Sequence, residues 1–267
     1  MKKIIIVIGV IVGIIIVFGV VMMMGFNNTE ITYEPNTNEN TVVQPVKFGH
    51  ANVYFIKTEN GHILVDAGMP GDLTKLDEVF AIAGVDPQSI DLIIVTHGHM
   101  DHMGLLAYAK EATGAKILSH QSLAEKLTNG AIEAPVAQTL FGHFLNFMTG
   151  ILELTGGGDI EGVTPDILVE DSFDLSEYGV SGQVIHTPGH SLGSVSIILD
   201  NGETLIGDMV RPEGEGEIGL GMFYEDKEIL IESLEEVASF EPRTIYLSHG
   251  DTIDNTTLNN TIAAMRK

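Results

Sequence analysis

The sequence predicts a mixed α/β protein of the α+β kind, made of two sheet-and-helix halves packed together and preceded by one transmembrane helix. Three observations support this: an apolar run at the start, alternating strand and helix patterns after it, and ligand-type side chains just past several strands. The chain has 267 residues with 13 Lys and Arg, 37 Asp and Glu, ten His and no Cys. This length is ample for one large domain with its own core.

The composition limits the possible functions. A formal net charge of −24 argues against nucleic-acid binding, because a polyanion requires a basic footprint on the protein. The lack of cysteine excludes disulfides, thiolate metal sites and thiol nucleophiles. Histidines and carboxylates are therefore the metal ligands that this chain offers.

The first element is the uncharged apolar run of residues 4–26, which follows Lys2 and Lys3. As a helix it reaches roughly 34 Å, enough to cross a hydrocarbon layer of about 30 Å. The run is longer than the apolar part of a signal peptide and ends in a poor cleavage site. We therefore expect an uncleaved signal anchor, with a cleaved signal peptide or a buried core helix as the alternatives.

The charges around this run predict its orientation. The two lysines precede it and acidic residues follow, so the positive-inside rule leaves the N-terminus cytoplasmic and the rest extracytoplasmic, as a single-pass cell-membrane protein. Residues 27–41 are polar and read as a tether to a domain at 42–267. Residues 1–41 hold two Lys and three Glu, which leaves the domain 11 basic and 34 acidic side chains, a net charge of −23. A solvated acidic surface explains this charge, and steering of cationic substrates is an alternative.

Strand and helix signals alternate through the domain. Thr58–Gly61 is a turn between two β-rich runs, and the helices repeat apolar residues at three- and four-residue spacing. The predicted strands are 51–57, 62–66, 91–96, 116–119, 183–187, 195–199, 204–206 and 244–248. The predicted helices are 73–83, 103–113, 121–127, 226–240 and 258–266. Residues 130–165 are less regular and include an apolar stretch, Thr139–Leu154.

Ligand-type side chains cluster after four of these strands. The strand that ends at Thr96 is followed by four of them: His97, His99, Asp101 and His102. Three more come just past later strands: His190, Asp208 and His249. Neighbouring Gly and Pro residues allow the sharp turns that present such side chains at a sheet edge.

This pattern of HGHMDH, then His190, Asp208 and His249, resembles the metallo-β-lactamase superfamily, in its hydrolase group typified by glyoxalase II. The segments around Asn52, Asp66 and His186–Ser191 resemble the family as well, so the resemblance covers roughly residues 42–255. It implies an αββα sandwich with the metals at one edge of the paired sheets.

The resemblance also implies a role for each ligand. The first metal ion would take three histidines, namely His97, His99 and His190. The second ion would take Asp101, His102 and His249. Asp208 would bridge the two ions, and Asp66 would lie beside them and orient a ligand histidine.

Two divalent ions about 3.5–4 Å apart lower the pKa of a bridging water, so that a hydroxide exists near neutral pH. We expect this hydroxide, with Asp101 and Asp208 as the catalytic carboxylates, to attack an ester, lactone, thioester or amide carbonyl of a small molecule. Zinc is the first expectation for the metal, and iron and manganese accept the same ligands. A phosphodiesterase of the same fold and a non-catalytic, membrane-tethered metal-binding or sensing protein are the alternatives.

The apolar insertion at 130–165 is a possible lid over the metals, with His143 or Phe144 in contact with substrate. An ordinary core helix and contact with the nearby membrane are the other two interpretations. Members of the superfamily that act as β-lactamases lack the bridging acid, so Asp208 argues against that activity. Few residues follow His249, so the helical region with which glyoxalase II binds glutathione is not expected.

Overall fold

The computed structural model describes residues 31–33, 41–70, 73–154, 160–214 and 217–267, together with Gly13. The predicted anchor at residues 4–26 lies outside the described residues apart from Gly13. Among the described residues, no helix combines the length and the apolar character needed to cross a bilayer.

Fourteen strands and seven α-helices make up the described part of the chain. The strands are β1 (Ile31–Thr32), β2 (Val43–Phe48), β3 (Ala51–Lys57), β4 (His62–Val65), β5 (Ile90–Ile94), β6 (Lys116–His120), β7 (Ile167–Val169), β8 (Ser172–Asp174), β9 (Gly182–His186), β10 (Val195–Leu199), β11 (Glu203–Leu205), β12 (Arg211–Gly214), β13 (Glu217–Gly219) and β14 (Thr244–Tyr246). The helices are α1 (Thr74–Ala83), α2 (Met100–Met103), α3 (Leu106–Thr113), α4 (Ala124–Asn129), α5 (Leu140–Leu154), α6 (Lys227–Ser239) and α7 (Asn255–Met265).

Two large sheets organise the domain. The first has seven strands in the order β1-β2-β3-β4-β5-β6-β7, antiparallel from β1 to β4 and parallel from β4 to β7. The second has five strands in the order β14-β11-β10-β9-β8, in which only β14 and β11 run parallel. Strands β12 and β13 form a separate small ribbon.

The buried side chains show how these layers stack. One core cluster lies between the two sheets and joins Ile63 and Ile94 of the first to Val184 and Ile197 of the second. A second cluster packs the outer face of the first sheet against α1, α3 and α4, and a third packs the outer face of the second sheet against α6 and α7. The four layers form an αββα sandwich, which confirms the predicted mixed α/β fold.

The structure differs from the predicted elements in a few places. Strand β2 was not predicted, and it contains Pro45, which lacks an N–H group and is unusual inside a sheet. Within the described residues, β1 pairs with Lys47 and Phe48 and does not reach Pro45. Strand β1 itself falls within the predicted tether. The predicted helix 103–113 begins later, as α3 at Leu106, and Met103 is the last residue of α2. Gly104 lies between the two helices, where an added Cβ would lie 2.1 Å from Pro70 N.

The predicted ligands follow strands whose ends meet at one edge of the sandwich, which we call the ligand edge. Strands β4 and β5 are parallel, so Asp66 and His97 emerge on the same side. The two sheets join there, because Val195 N–H at the start of β10 donates to the Thr96 carbonyl oxygen at 2.8 Å.

Candidate metal centre

The loop after β5 supplies four of the predicted ligands. Strand β5 is buried and apolar apart from the exposed Asp91, and the chain leaves it through Thr96 into His97, Gly98 and His99 before α2 begins. Only glycine fits between the two histidines, since a Cβ at Gly98 would lie 2.5 Å from the side chain of Glu133. One turn of α2 then presents Asp101 and His102 to the same space.

The structure brings all seven predicted ligands together as two groups. The first ligand group is His97, His99, His190 and Asp208, and the second is Asp101, His102 and His249. Within each group, one potential ligand atom per residue lies within 4.8 Å of the others.

The histidines of the first ligand group turn nitrogen atoms toward one another. His99 Nδ1 lies 3.1 Å from His97 Nε2 and 3.1 Å from His190 Nε2. Burial and the neighbouring imidazoles hold the pKa of His97 well below its usual range and lower the pKa of His190 to about 3. Burial also lowers the pKa of His99. These three rings are therefore neutral, which is the form that binds a metal.

The second ligand group is set among carboxylates. His102 Nε2 lies 3.6 Å from Asp101 Oδ1, and His249 Nε2 lies 3.3 Å from Asp101 Oδ2. Burial alone lowers the pKa of His102, but the carboxylates of Asp101, Asp208 and Asp66 raise it to about 9. The pKa of His249 is raised well above its usual range, because Asp208 and Asp101 outweigh burial. Burial opposes ionisation of Asp101, yet His102 and His249 keep its pKa below the usual range.

Asp208 lies between the two groups. Its Oδ2 atom is 3.1 Å from His249 Nε2 and 3.9 Å from His190 Nε2, and its Oδ1 atom is 3.4 Å from His102 Nε2. Gly207 precedes it with φ of 57°, a left-handed conformation that favours glycine and turns the chain sharply after β11. This carboxylate reaches ligands of both groups, as the predicted bridging role requires.

Two buried polar atoms indicate whether this cluster fits a metal. His102 Nε2 and Asp208 Oδ1 are buried, and neither has a hydrogen-bond partner among the described residues. A buried polar atom without a partner is costly unless another group satisfies it. Both atoms point into the cluster of imidazoles and carboxylates, whose chemistry suits divalent zinc, iron or manganese. The residues present therefore fit metal ions.

Hydrogen bonds to residues outside the cluster fix the orientation of three ligand rings: His102, His190 and His249. His102 Nδ1 lies 2.8 Å from Asp66 Oδ2, and the Asp66 carboxylate also accepts from Thr96 N–H and from Thr96 Oγ1, each at 2.8 Å. Asp66 has φ of 62°, an uncommon conformation for a residue other than glycine. The structure thus places the predicted outer partner against a ligand histidine.

Backbone carbonyl groups hold two other rings. His190 Nδ1 donates to the Phe223 oxygen at 3.0 Å, and His249 Nδ1 donates to the His50 oxygen at 2.7 Å. In each ring this leaves Nε2 to face the cluster. No sequence signal marks Phe223 or His50 for this role, because any residue type can supply a carbonyl oxygen.

Glu133 is a further side chain that sequence reasoning missed. It is buried, its N–H donates to the Gly98 oxygen at 2.7 Å, and its Oε1 lies 2.8 Å from Lys126 Nζ. Its Oε2 accepts from Gly98 N–H at 3.3 Å. Glu133 therefore braces the loop between His97 and His99, a role that follows from chain packing and has no short motif.

His143 and Phe144 lie on α5, and neither belongs to the two ligand groups. His143 is exposed, and its N–H donates to the Thr139 oxygen at 3.0 Å. Phe144 is half-buried, and its ring centroid lies 6.5 Å from that of Phe141. Their contact with substrate stays a prediction.

Comparison with known proteins places this chain among metal-dependent enzymes. The model of the metallo-beta-lactamase superfamily matches residues 46–249. A relative from Methanocaldococcus jannaschii, named "Probable metallo-hydrolase", is 29% identical over 63% of this chain and 72% of its own length. A protein of the same description from Bacillus subtilis is 26% identical over 79% of this chain and 90% of its own. The crystal structure of TTHA1623 in a di-iron-bound form superposes with a TM-score of 0.57 and 23% identity, covering 85% of this chain and 98% of that one.

Proposed function

Because the chain belongs to the metallo-β-lactamase superfamily and is a metal-dependent hydrolase, we propose that it uses two divalent metal ions to hydrolyse a carbonyl compound. The substrate class is an ester, lactone, thioester or amide of a small molecule. The observation that carries the proposal is the convergence of the two ligand groups on Asp208.

In this proposal each ligand group holds one ion. His97, His99 and His190 present neutral nitrogens to the first ion, and Asp101, His102 and His249 hold the second. When bound, two such ions supply Lewis acidity and lower the pKa of water, and zinc, iron and manganese all suit these ligands. The structural relative in a di-iron-bound form supports a two-metal site of this kind.

The three carboxylates at the site have different roles. The Asp66 side chain is 1% exposed and orients His102, whereas the Asp208 side chain is 11% exposed and reaches both groups. The Asp101 side chain is 27% exposed, so it is the carboxylate most open to solvent and substrate. We place proton acceptance from the attacking water at Asp101 and Asp208.

The test is a metal and substrate panel on the full chain. The protein is stripped with a chelator, reloaded with zinc, manganese or iron, and offered an ester, a lactone, a thioester, an amide and a phosphodiester. We expect about two equivalents of metal and turnover of a carbonyl substrate. His99→Ala should abolish turnover, whereas His62→Ala, at the far end of β4 against Ser89, should retain it.

Each other outcome of this panel contradicts the proposal. Full metal loading without turnover of any substrate would identify a non-catalytic metal-binding protein. Turnover of the phosphodiester alone would identify a phosphodiesterase of the same fold. A single equivalent of metal with full activity would overturn the two-metal assignment.

The proposed location is the cell membrane, with residues 4–26 as the anchor, the N-terminus cytoplasmic and the hydrolase domain extracytoplasmic. The support is the length of the apolar run and the two lysines before it. Protease added to intact cells should remove the domain. A protected domain in intact cells that is digested after lysis would contradict this orientation.

A further inference from the structure

Helix α5 exposes large apolar side chains. Leu140 is 90% exposed and Phe147 is 60% exposed, and with the half-buried Phe144 they follow the spacing of one helix face. Phe141 beside them is also exposed. From Ala134 to Leu152 the sequence contains no Asp, Glu, Lys or Arg. A contiguous exposed apolar surface of this kind marks a contact site for another molecule or a membrane.

The start of α5 is tied to the ligand edge. The segment before it pairs with the loop that holds a ligand ring, because Ala137 forms an isolated β-bridge with Phe223 and the Phe223 oxygen accepts from His190. The same segment contacts the loop of the first ligand group through Glu133 and Gly98. The apolar face of α5, defined by Leu140, Phe141, Phe144 and Phe147, therefore begins beside the metal centre.

The N-terminal strand enters the sandwich at this same edge. Ile31 pairs with Phe48, which in turn pairs with Ala51 at the start of β3. The next residue, Asn52, donates its N–H to the Ser248 oxygen at 2.7 Å, directly before the ligand His249. The chain thus comes into the domain at the edge that carries the metal ligands.

The distance from the apolar run to this point is short. Only residues 27–30 separate Phe26 from Ile31. A fully extended chain covers about 3.5 Å per residue, so this link spans at most about 17 Å. A domain anchored by residues 4–26 is therefore held with its ligand edge close to the bilayer surface.

The net charge of the domain favours the bilayer, rather than a second copy of the chain, as the partner of α5. The domain carries 34 acidic against 11 basic side chains once residues 1–41 are set aside, so two copies repel each other. The same acidity disfavours anionic headgroups. An uncharged apolar helix face on a domain of net negative charge fits a zwitterionic lipid surface, into which apolar side chains of an interfacial helix insert.

We propose that the apolar face of α5 lies on the bilayer that residues 4–26 span, with the metal centre turned toward the lipid. This inference rests on the proposed function and extends it. The substrate class becomes an amphipathic ester or related carbonyl compound whose apolar part is dissolved in the membrane.

The absence of cysteine allows a direct test with the full chain in phosphatidylcholine vesicles. Single variants Leu140→Cys, Phe147→Cys and Glu59→Cys carry a fluorophore, and the vesicles contain lipids that bear a quencher. Glu59 is exposed in the turn between β3 and β4, away from the ligand edge. We expect loss of emission at positions 140 and 147 and unchanged emission at position 59.

A second measurement ties this contact to activity. In the double variant Leu140→Glu and Phe147→Glu, hydrolysis of a long-chain ester in the vesicles should fall about tenfold or more relative to hydrolysis of a short soluble ester. Equal losses on both esters would overturn the proposal, and so would emission that is not quenched on α5. Cross-linking between Leu140→Cys copies without lipid quenching would assign the face to a dimer instead.

The outcomes separate this inference from the function on which it rests. Quenching on α5 without hydrolysis of any ester would leave the orientation standing and overturn the proposed activity. Hydrolysis of the soluble ester without quenching would do the reverse. Protein that does not float with the vesicles would overturn both the anchor and the orientation.

Discussion

Each ligand group takes two ligands from the same segment after β5, yet the two groups shift the pKa values of their histidines in opposite directions. Burial among other imidazoles lowers the pKa of His190 to about 3, whereas the surrounding carboxylates raise the pKa of His102 to about 9. The first group presents neutral nitrogens. In the second group, the carboxylates of Asp101, Asp66 and Asp208 face the positive charge of His102. A cation can enter the first group directly, while in the second it replaces the protons that His102 and His249 hold beside the carboxylates.

The largest expected effect comes from the residue that the groups share. Asp208→Asn keeps the size of the side chain but removes the charge that faces His102, His190 and His249. We expect metal content to fall in both groups and kcat/KM to drop about 10³-fold or more. Metal analysis and ester hydrolysis measure this. Asp200→Asn in the exposed turn after β10 is the matched control and should behave as the wild type.

Removing one ligand from each group tests whether the groups act as separate sites. His190→Ala should lose the ion of the first group, and His249→Ala that of the second, with each variant keeping about one equivalent. Activity should fall by about 10²- to 10³-fold in both. Metal titration of the two variants measures the number of ions bound, with His62→Ala as the control. Loss of both ions in either variant would show that the two groups form one cooperative site.

The sequence predicts much of this arrangement because the ligands obey local rules. His97, His190 and Asp208 all follow apolar strands and lie beside glycine or proline, so strand patterns and turn residues locate them at sheet ends. The parts that were missed obey no local rule. The Phe223 carbonyl needs no particular side chain, and Glu133 reaches Gly98 across 35 positions of sequence.

The same distinction between local and long-range signals explains where the predicted fold was wrong. Strand β2 is stabilised by pairing with β3 despite Pro45, and β7 and β8 have three residues each, too few for a period to be visible. The irregular region 130–165 contains α5, whose apolar residues remain partly exposed. A sequence pattern shows that residues are apolar and not whether tertiary structure covers them.

A smaller effect is expected from the outer partner of the second group. Asp66→Asn weakens the contact with His102 Nδ1 that fixes this ring. Loss of such a partner typically reduces metal affinity or activity by about 10- to 100-fold. Competition with a chelator should show the loss in the second ion and leave the first ion unchanged. Asp91→Asn, exposed on β5, is the control. Equal weakening of both ions would contradict the separate roles of the groups.

The smallest effect is expected at Glu133, which contacts the backbone of Gly98 between two ligands of the first group. Glu133→Gln retains an acceptor for Gly98 N–H but removes the charge that pairs with the half-exposed Lys126, so we expect a loss of about 1 kcal/mol in unfolding free energy. Activity should fall only several-fold, because the backbone bond from Glu133 N–H to the Gly98 oxygen is unchanged. Urea unfolding and metal titration measure both changes. Glu125→Gln, exposed on α4, is the control variant. If binding of the second ion weakens more than binding of the first, Glu133 supports both ligand groups. The two groups would then differ in the pKa values of their histidines but share the same support from Glu133.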